Sequence, residues 1–124
     1  MKKLNYIYDN VEFVESKIPI PYQQALEIME DRVTLVKSNE EKEMVWFLEH
    51  PSIYTSGSGN FIKESSINNI PVFNTGRGGK ITWHGPGQRI IYFIINIKKR
   101  KINIRSFVND IETLVIKSLS KLNL

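Results

Sequence analysis

Arg77-Gly-Gly-Lys-Ile-Thr-Trp-His-Gly-Pro-Gly-Gln88 is the stretch on which the reading of this chain turns. Glycines 78, 79, 85 and 87 lie inside it and Gly76 precedes it, so most of the seven glycines gather here, with one of the two histidines. Glycine lets the backbone reach positive φ and lets another molecule approach the main chain closely. Pro86, between two glycines, fixes one φ and interrupts any regular element. Lys80 to Trp83, between the glycine clusters, reads as a short strand. The whole is expected to form loop, strand and tight loop, bringing Arg77, Thr82, His84 and Gln88 together. A glycine-rich hairpin without a ligand is the competing reading. It leaves the polar set around the glycines unexplained, whereas binding residues gather on loops held by rigid strands.

Working outward, Pro71-Val-Phe-Asn74 reads as a short strand leading into the stretch, and Arg89 to Ile97 as a β-branched core strand leading out of it. Upstream, Met44 to Glu49 is apolar until its end and fits a strand buried on both faces. Glu49-His50-Pro51 and a run of small hydroxyl and turn residues follow, and residues 60–70 read as surface loop. Tyr22, Ala25, Leu26, Met29, Val33 and Val36 recur at helical spacing, and Pro21 suits the first helical position. Lys17 to Pro21 is an extended connector, Ser38 to Glu43 a charged turn, and Lys3 to Asp9 a first strand. Beyond the basic turn Lys98 to Lys101, Phe107, Val108, Ile111, Leu114, Val115, Leu119 and Leu122 mark a second helix. Ser106 is its candidate N-cap, with Asp110 and Glu112 near the positive end of its dipole.

At 124 residues, 41% hydrophobic and 24% charged, the chain fits one small soluble domain. No apolar run is long enough for a membrane span, and the N-terminus has no apolar stretch behind its lysines, so no secretory signal is expected. Cysteine is absent, which excludes disulfides, thiolate metal sites and a cysteine nucleophile within these residues. Two histidines far apart argue against a dedicated metal site. A net charge of +4 mildly favours acidic partners.

The motif tests narrow the chemistry. A Walker A loop ending at Gly79-Lys80 would need glycine at Asn74 and a hydroxyl at Ile81. The dinucleotide pattern from Gly76 would need glycine at Ile81. Both fail. His50 reads first as a histidine capping its strand or satisfied by Glu49, and second as another wall of the pocket. His84, flanked by Thr82 and glycines, reads first as functional. The basic turn with Arg105 lacks interleaved aromatic platforms, which disfavours a nucleic-acid partner.

The stretch closely resembles the signature of lipoate–protein ligase B, the octanoyltransferase family. That pattern is Arg-Gly-Gly, two variable residues, Thr, an aromatic, then His-Gly-Pro-Gly-Gln. Every fixed position matches, with Trp83 in the aromatic slot. Tyr22, Ala25, Leu26 and Met29, then Glu49-His50-Pro51 and Tyr54-Thr55 with Gly57, also look like family segments. The resemblance covers nearly all of the chain. It implies an α+β fold, a mixed β-sheet flanked by helices as in the biotinyl/lipoyl protein ligases. It implies cytoplasmic transfer of an octanoyl group from acyl carrier protein to a lysine of lipoyl domains or of the glycine-cleavage H protein. It implies no cofactor, no metal, no nucleic acid and no membrane. By carry-over Arg77, Gly78, Gly79, Lys80, Ile81, Thr82, Trp83 and His84 line the acyl-substrate pocket, and the basic turn at Lys98 is a docking candidate for an acidic carrier protein.

The family's nucleophilic cysteine and its activating lysine correspond to positions beyond Leu124, so no catalytic residue is assigned within this chain. The helical pattern is still running at Leu124. The expectation is therefore that residues 1–124 form the N-terminal part of one octanoyltransferase-like domain, truncated at its C-terminus and of marginal stability alone. Competing readings are a non-catalytic remnant that binds acyl chains or carrier protein, an ATP-dependent lipoate or biotin ligase, and a small basic RNA-binding protein.

Overall fold

The computed structural model describes residues 2–8 and 10–124, with side chains from Asn10 onward. Eight strands and two helices follow in the order β1 (Lys2–Tyr8), β2 (Val11–Glu15), α1 (Tyr22–Lys37), β3 (Glu43–Leu48), β4 (Ile53–Ser56), β5 (Ser66–Ile67), β6 (Ile70–Asn74), β7 (Thr82–His84), β8 (Ile90–Ile94) and α2 (Ile104–Lys121). The first strand is present; Asp9 and the alternating side chains of Leu4, Tyr6 and Tyr8 lie outside the described residues. The chain packs as two compact units, one ending at Ile94 and one beginning at Ile95.

Both sheets of the larger unit are mixed, as the α+β reading requires. Their orders are β1-β2-β3-β8 and β5-β6-β4-β7. Each has a parallel pair at its centre, β2 with β3 and β4 with β6, and an antiparallel strand on either side. Parallel neighbours need a crossover, and α1 supplies it between β2 and β3. β3 is central, and Met44, Val45, Trp46 and Leu48 are all buried, so both of its faces are covered. Met44, Trp46 and Leu48 share a face by the two-residue period and join Ala25 and Val36 of α1 with Val14, Ile20 and Ile94 in the core. Inside it the Trp46 indole N–H donates to Ser16 Oγ at 2.9 Å, so the one polar atom of that ring is satisfied.

Several boundaries differ from the sequence reading. Pro21 is the N-cap of α1 rather than its first helical residue, with an extended ψ of 138°. Val33 is exposed, because α1 turns Ala25, Ile28, Met29 and Val36 towards the sheet instead. β4 and the two-residue β5 fall where turn residues and surface loop were expected; they are short, and their hydroxyls mask the alternation, while β2 lies in a stretch to which the sequence reading assigned no element. β8 is shorter than the expected core strand and lies at a sheet edge, where Ile94 is buried and Ile90 to Phe93 are half-buried.

In the smaller unit the Lys98 to Lys101 turn is present. The N-cap of α2 is Asn103, not Ser106: its side-chain oxygen accepts from the amides of Arg105 and Ser106. Among the described residues no helix is long and apolar enough to cross a membrane.

Candidate functional site

Four carbonyls in a row, from Arg77 to Lys80, are turned against protein groups. Arg77 O accepts from the Ser58 amide at 2.8 Å. Gly78 O accepts from Arg77 Nη1 at 2.8 Å, and Lys80 O from Arg77 Nη2 at 2.9 Å. Gly79 O lies where a Cβ on residue 57 would have to go. Glycine at 57 is thus a packing requirement: any side chain would collide with the loop backbone.

This arrangement fixes where the amides point. No peptide bond here is cis, and in a planar trans peptide the N–H is antiparallel to the preceding carbonyl. The N–H groups of Gly78, Gly79, Lys80 and Ile81 therefore each point away from the group that holds the carbonyl before them. Among the described residues none of the four donates to another protein group. Gly78, Gly79 and Lys80 are exposed. The loop presents a short row of backbone donors with no protein acceptor, the kind of group that binds a carbonyl or anionic oxygen.

Arg77 organises this loop. Besides the two carbonyls, its Nη2 lies within 2.8 to 3.0 Å of Thr55 O, Thr55 Oγ1 and Thr82 Oγ1. The guanidinium fork is thereby occupied by protein acceptors, so Arg77 shapes the site rather than reaching out of it. β7 begins at Thr82 and not at Lys80, whose carbonyl is turned to Arg77.

Thr55, Thr82 and His84 form a triangle. The hydroxyls are 3.1 Å apart, and each is 3.3 Å from His84 Nε2. On the other edge of the ring, His84 Nδ1 is 2.6 Å from Gln88 Oε1, while Gln88 Nε2 donates to the Trp83 carbonyl at 3.3 Å. A carbonyl can only accept, so the Gln88 amide nitrogen must face Trp83 and its oxygen must face His84. Arg77, Thr82, His84 and Gln88, picked out together in the sequence, are thus one hydrogen-bonded network. Thr55 belongs to it and was not singled out for this role; the signal was its place in the Tyr54-Thr55 segment, directly opposite Thr82 in the β4–β7 register. Trp83 is 40% exposed, and its ring lies where a Cβ on residue 85 would fall, so Gly85 leaves room for the indole. The side chain of Lys80 extends from the exposed part of the loop, and Ile81 is half-buried.

His50 lies behind this network, with its ring centroid 6.4 Å from that of His84. It is fully buried. Nδ1 donates to Ile20 O at 2.6 Å, leaving Nε2 to accept from the Tyr92 hydroxyl at 2.8 Å. Burial first of all, with a smaller contribution from nearby His84, pushes its pKa down; the Ile20 carbonyl opposes them. The imidazole is neutral and structural, consistent with the first sequence reading, but its partners are Ile20 and Tyr92 rather than Glu49. Burial also pushes the Tyr92 and Tyr22 hydroxyls up, and the Tyr22 ring packs edge-on to His50 at 5.3 Å and to Phe73 at 5.1 Å.

The Glu49 carboxylate accepts from the Gly87 amide at 2.9 Å, and its carbonyl from the Ile20 amide at 2.8 Å. It also borders a polar cleft of about 220 Å³ lined by residues 15–19, Glu49 and Arg89. None of residues 77–84 lines that cleft.

Comparison with known proteins assigns the chain to a family. The family model for the Lipoyl protein ligase A/B catalytic domain matches residues 21–124. The octanoyltransferase of Bradyrhizobium diazoefficiens is 42% identical over 113 residues, covering 91% of this chain and 45% of that protein. Those of Ehrlichia chaffeensis and Ehrlichia canis are 42% and 43% identical, covering 91% and 90% of this chain and 54% and 53% of their own lengths. The chain spans about half the length of the curated relatives it matches. With its mixed sheets, its two helices and a matched segment that holds the whole Arg77–Gln88 network, the chain belongs to the lipoyl protein ligase A/B catalytic domain family.

Proposed function

We propose that this chain supplies the acyl-binding part of a cytoplasmic octanoyltransferase, which moves an octanoyl group from acyl carrier protein to a lysine of lipoyl domains or of the glycine-cleavage H protein. The family membership and the octanoyltransferase relatives support the reaction class. The observation that carries the residue assignment is the outward row of amides from Gly78 to Ile81 beside Thr82 and His84.

In such a transfer the acyl carbon leaves sulfur for another nucleophile. The new bond forms, the C–S bond breaks, and the departing thiolate takes up a proton. Between those events the carbonyl oxygen carries negative charge. Preorganised donors aimed at that oxygen are worth most, and losing one costs about 100- to 1,000-fold in rate. The amides of Gly78, Gly79, Lys80 and Ile81 are our assigned donors, with the Lys80 ammonium beside them. Arg77 holds the loop, Thr82 and His84 flank it, and exposed Trp83 offers an apolar surface at its edge. Residues 1–124 contain no cysteine, so a thioester intermediate on sulfur needs protein outside them. Without a nucleophile the chain's contribution is to bind and orient. Carrier proteins that are acidic would meet the basic turn at Lys98 to Lys101 with Arg105.

The test is direct. Octanoyl-pantetheine titrated into isotope-labelled protein should move the amide resonances of Gly78 to Ile81 ahead of all others. A response confined to other residues, or none, overturns the site. In a transfer assay with octanoyl-acyl carrier protein and a lipoyl domain, this chain alone should add no octanoyl mass. Addition of the remaining half of a relative should restore it. Exchange of labelled ATP with free octanoate would instead indicate a ligase.

A further inference from the structure

Between the imidazole of His84 and the carbonyl of Trp83 lies the side-chain amide of Gln88, and its two ends are not interchangeable. The Trp83 carbonyl takes the amide nitrogen, so the oxygen is left 2.6 Å from His84 Nδ1. At that separation a proton must lie between them, and the amide oxygen has none. His84 therefore carries its hydrogen on Nδ1 and offers a lone pair at Nε2. That lone pair meets the hydroxyls of Thr55 and Thr82, each at 3.3 Å. Both hydroxyl oxygens already accept from Arg77 Nη2, at 3.0 and 2.9 Å. Each hydroxyl has one hydrogen, and the acceptors within reach are the other hydroxyl and His84 Nε2. The direction of the chain follows: Arg77 to the threonine pair, threonine to His84, His84 to Gln88, Gln88 to Trp83.

We propose that Gln88 is a positioning residue that locks His84 in the Nδ1–H tautomer, and that through the threonine pair this lock keeps the Arg77 fork free to hold the Gly78 and Lys80 carbonyls. With the opposite tautomer, Nε2–H would donate into the threonine oxygens and compete with Arg77 for them. The fork would keep Gly78 O, Lys80 O and Thr55 O but lose two of the acceptors on Nη2, and its hold on the amide row would loosen. The relevance to acyl transfer rests on the reading of the preceding subsection; the tautomer does not.

Nitrogen NMR of the imidazoles, at a pH where they are neutral, tests this on the chain as it stands. In the unchanged protein His84 should show a protonated Nδ1 and a bare Nε2, the pattern also expected for His50. Finding the proton on Nε2 overturns the proposal. Gln88→Leu should shift the His84 tautomer ratio by about tenfold towards Nε2–H, the worth of one hydrogen bond, and leave His50 unchanged. Gln88→Glu, which keeps an acceptor at Nδ1, should retain the original ratio. An unaltered ratio in the leucine variant, or loss of Nδ1–H in the glutamate variant, overturns it. If Gln88→Leu does not fold, the unchanged protein and the glutamate variant still decide. Octanoyl-pantetheine titration is a separate measurement, so failure of the acyl-binding reading and failure of the lock are distinguishable.

Discussion

His50 and His84 are separated by 6.4 Å between ring centroids, yet they are held by different kinds of surroundings. Around His50 every polar atom has one partner drawn from buried main chain or from a phenol, and aromatic rings close the space. Around His84 the partners are all side chains, the hydroxyls of buried Thr55 and exposed Thr82 and the amide of half-buried Gln88, beside the exposed glycine loop. The first arrangement is a fastening; the second borders the loop to which we assign the thioester. The same residue type does either job, and what differs is whether its hydrogen bonds end on a main-chain carbonyl and a phenol or run on through a network of side chains that reaches the exposed loop.

Substitution should separate the two by the size of the stability loss. His50→Ala removes a buried ring and strands both the Ile20 carbonyl and the Tyr92 hydroxyl. We expect a loss of about 3 to 5 kcal/mol by urea denaturation. A loss below about 1 kcal/mol would mean that His50 is not the fastening described. Gly57→Ala comes next. It places a methyl against Gly79 O, and overpacking of this kind costs about 1 to 3 kcal/mol; it should also abolish thioester-induced shifts at Gly78 to Ile81 while leaving the α1 core resonances in place. His84→Ala should cost the fold under about 1 kcal/mol, as a partly exposed side chain does, and act on thioester binding instead.

Acid should distinguish them too. His50 resists protonation when folded, because burial holds its pKa below the ordinary value of 6.5. The unfolded chain takes up that proton first, so stability is full above about pH 6.5 and declines as the pH falls below it. The slope from one such group is at most about 1.4 kcal/mol per pH unit. His50→Gln should flatten the decline when denaturation midpoints are compared from pH 7 to 5. Equal slopes in both proteins would remove His50 as the cause.

Much of this was legible in the chain because apolar periodicity reports burial directly. Met44 to Glu49 could be read as a strand covered on both faces, and the spacing from Tyr22 to Val36 as a helix. The polar convergence on Arg77, Thr82, His84 and Gln88 was legible because glycine clusters need a reason. Other features were hidden in physical terms. Nothing in the motif says that the Arg77 fork will turn back on the carbonyls of its own loop, Gly78 O and Lys80 O. His50 was read as capping its strand or as satisfied by Glu49, but its partners are Ile20 and Tyr92, brought near by the β3–β8 pairing and by the turn into α1. Thr55 looked like one hydroxyl among several until the β4–β7 register set it opposite Thr82.

The chain passes between its sheets at two neighbouring places, from β3 to β4 through Glu49 and from β7 to β8 through Gly87. One carboxylate-to-amide bond rivets the crossings together. Stiffening either crossing should therefore be felt along the strands on its far side. A ligand gripping only the glycine loop would slow hydrogen–deuterium exchange in β3 and β8, strands it never touches.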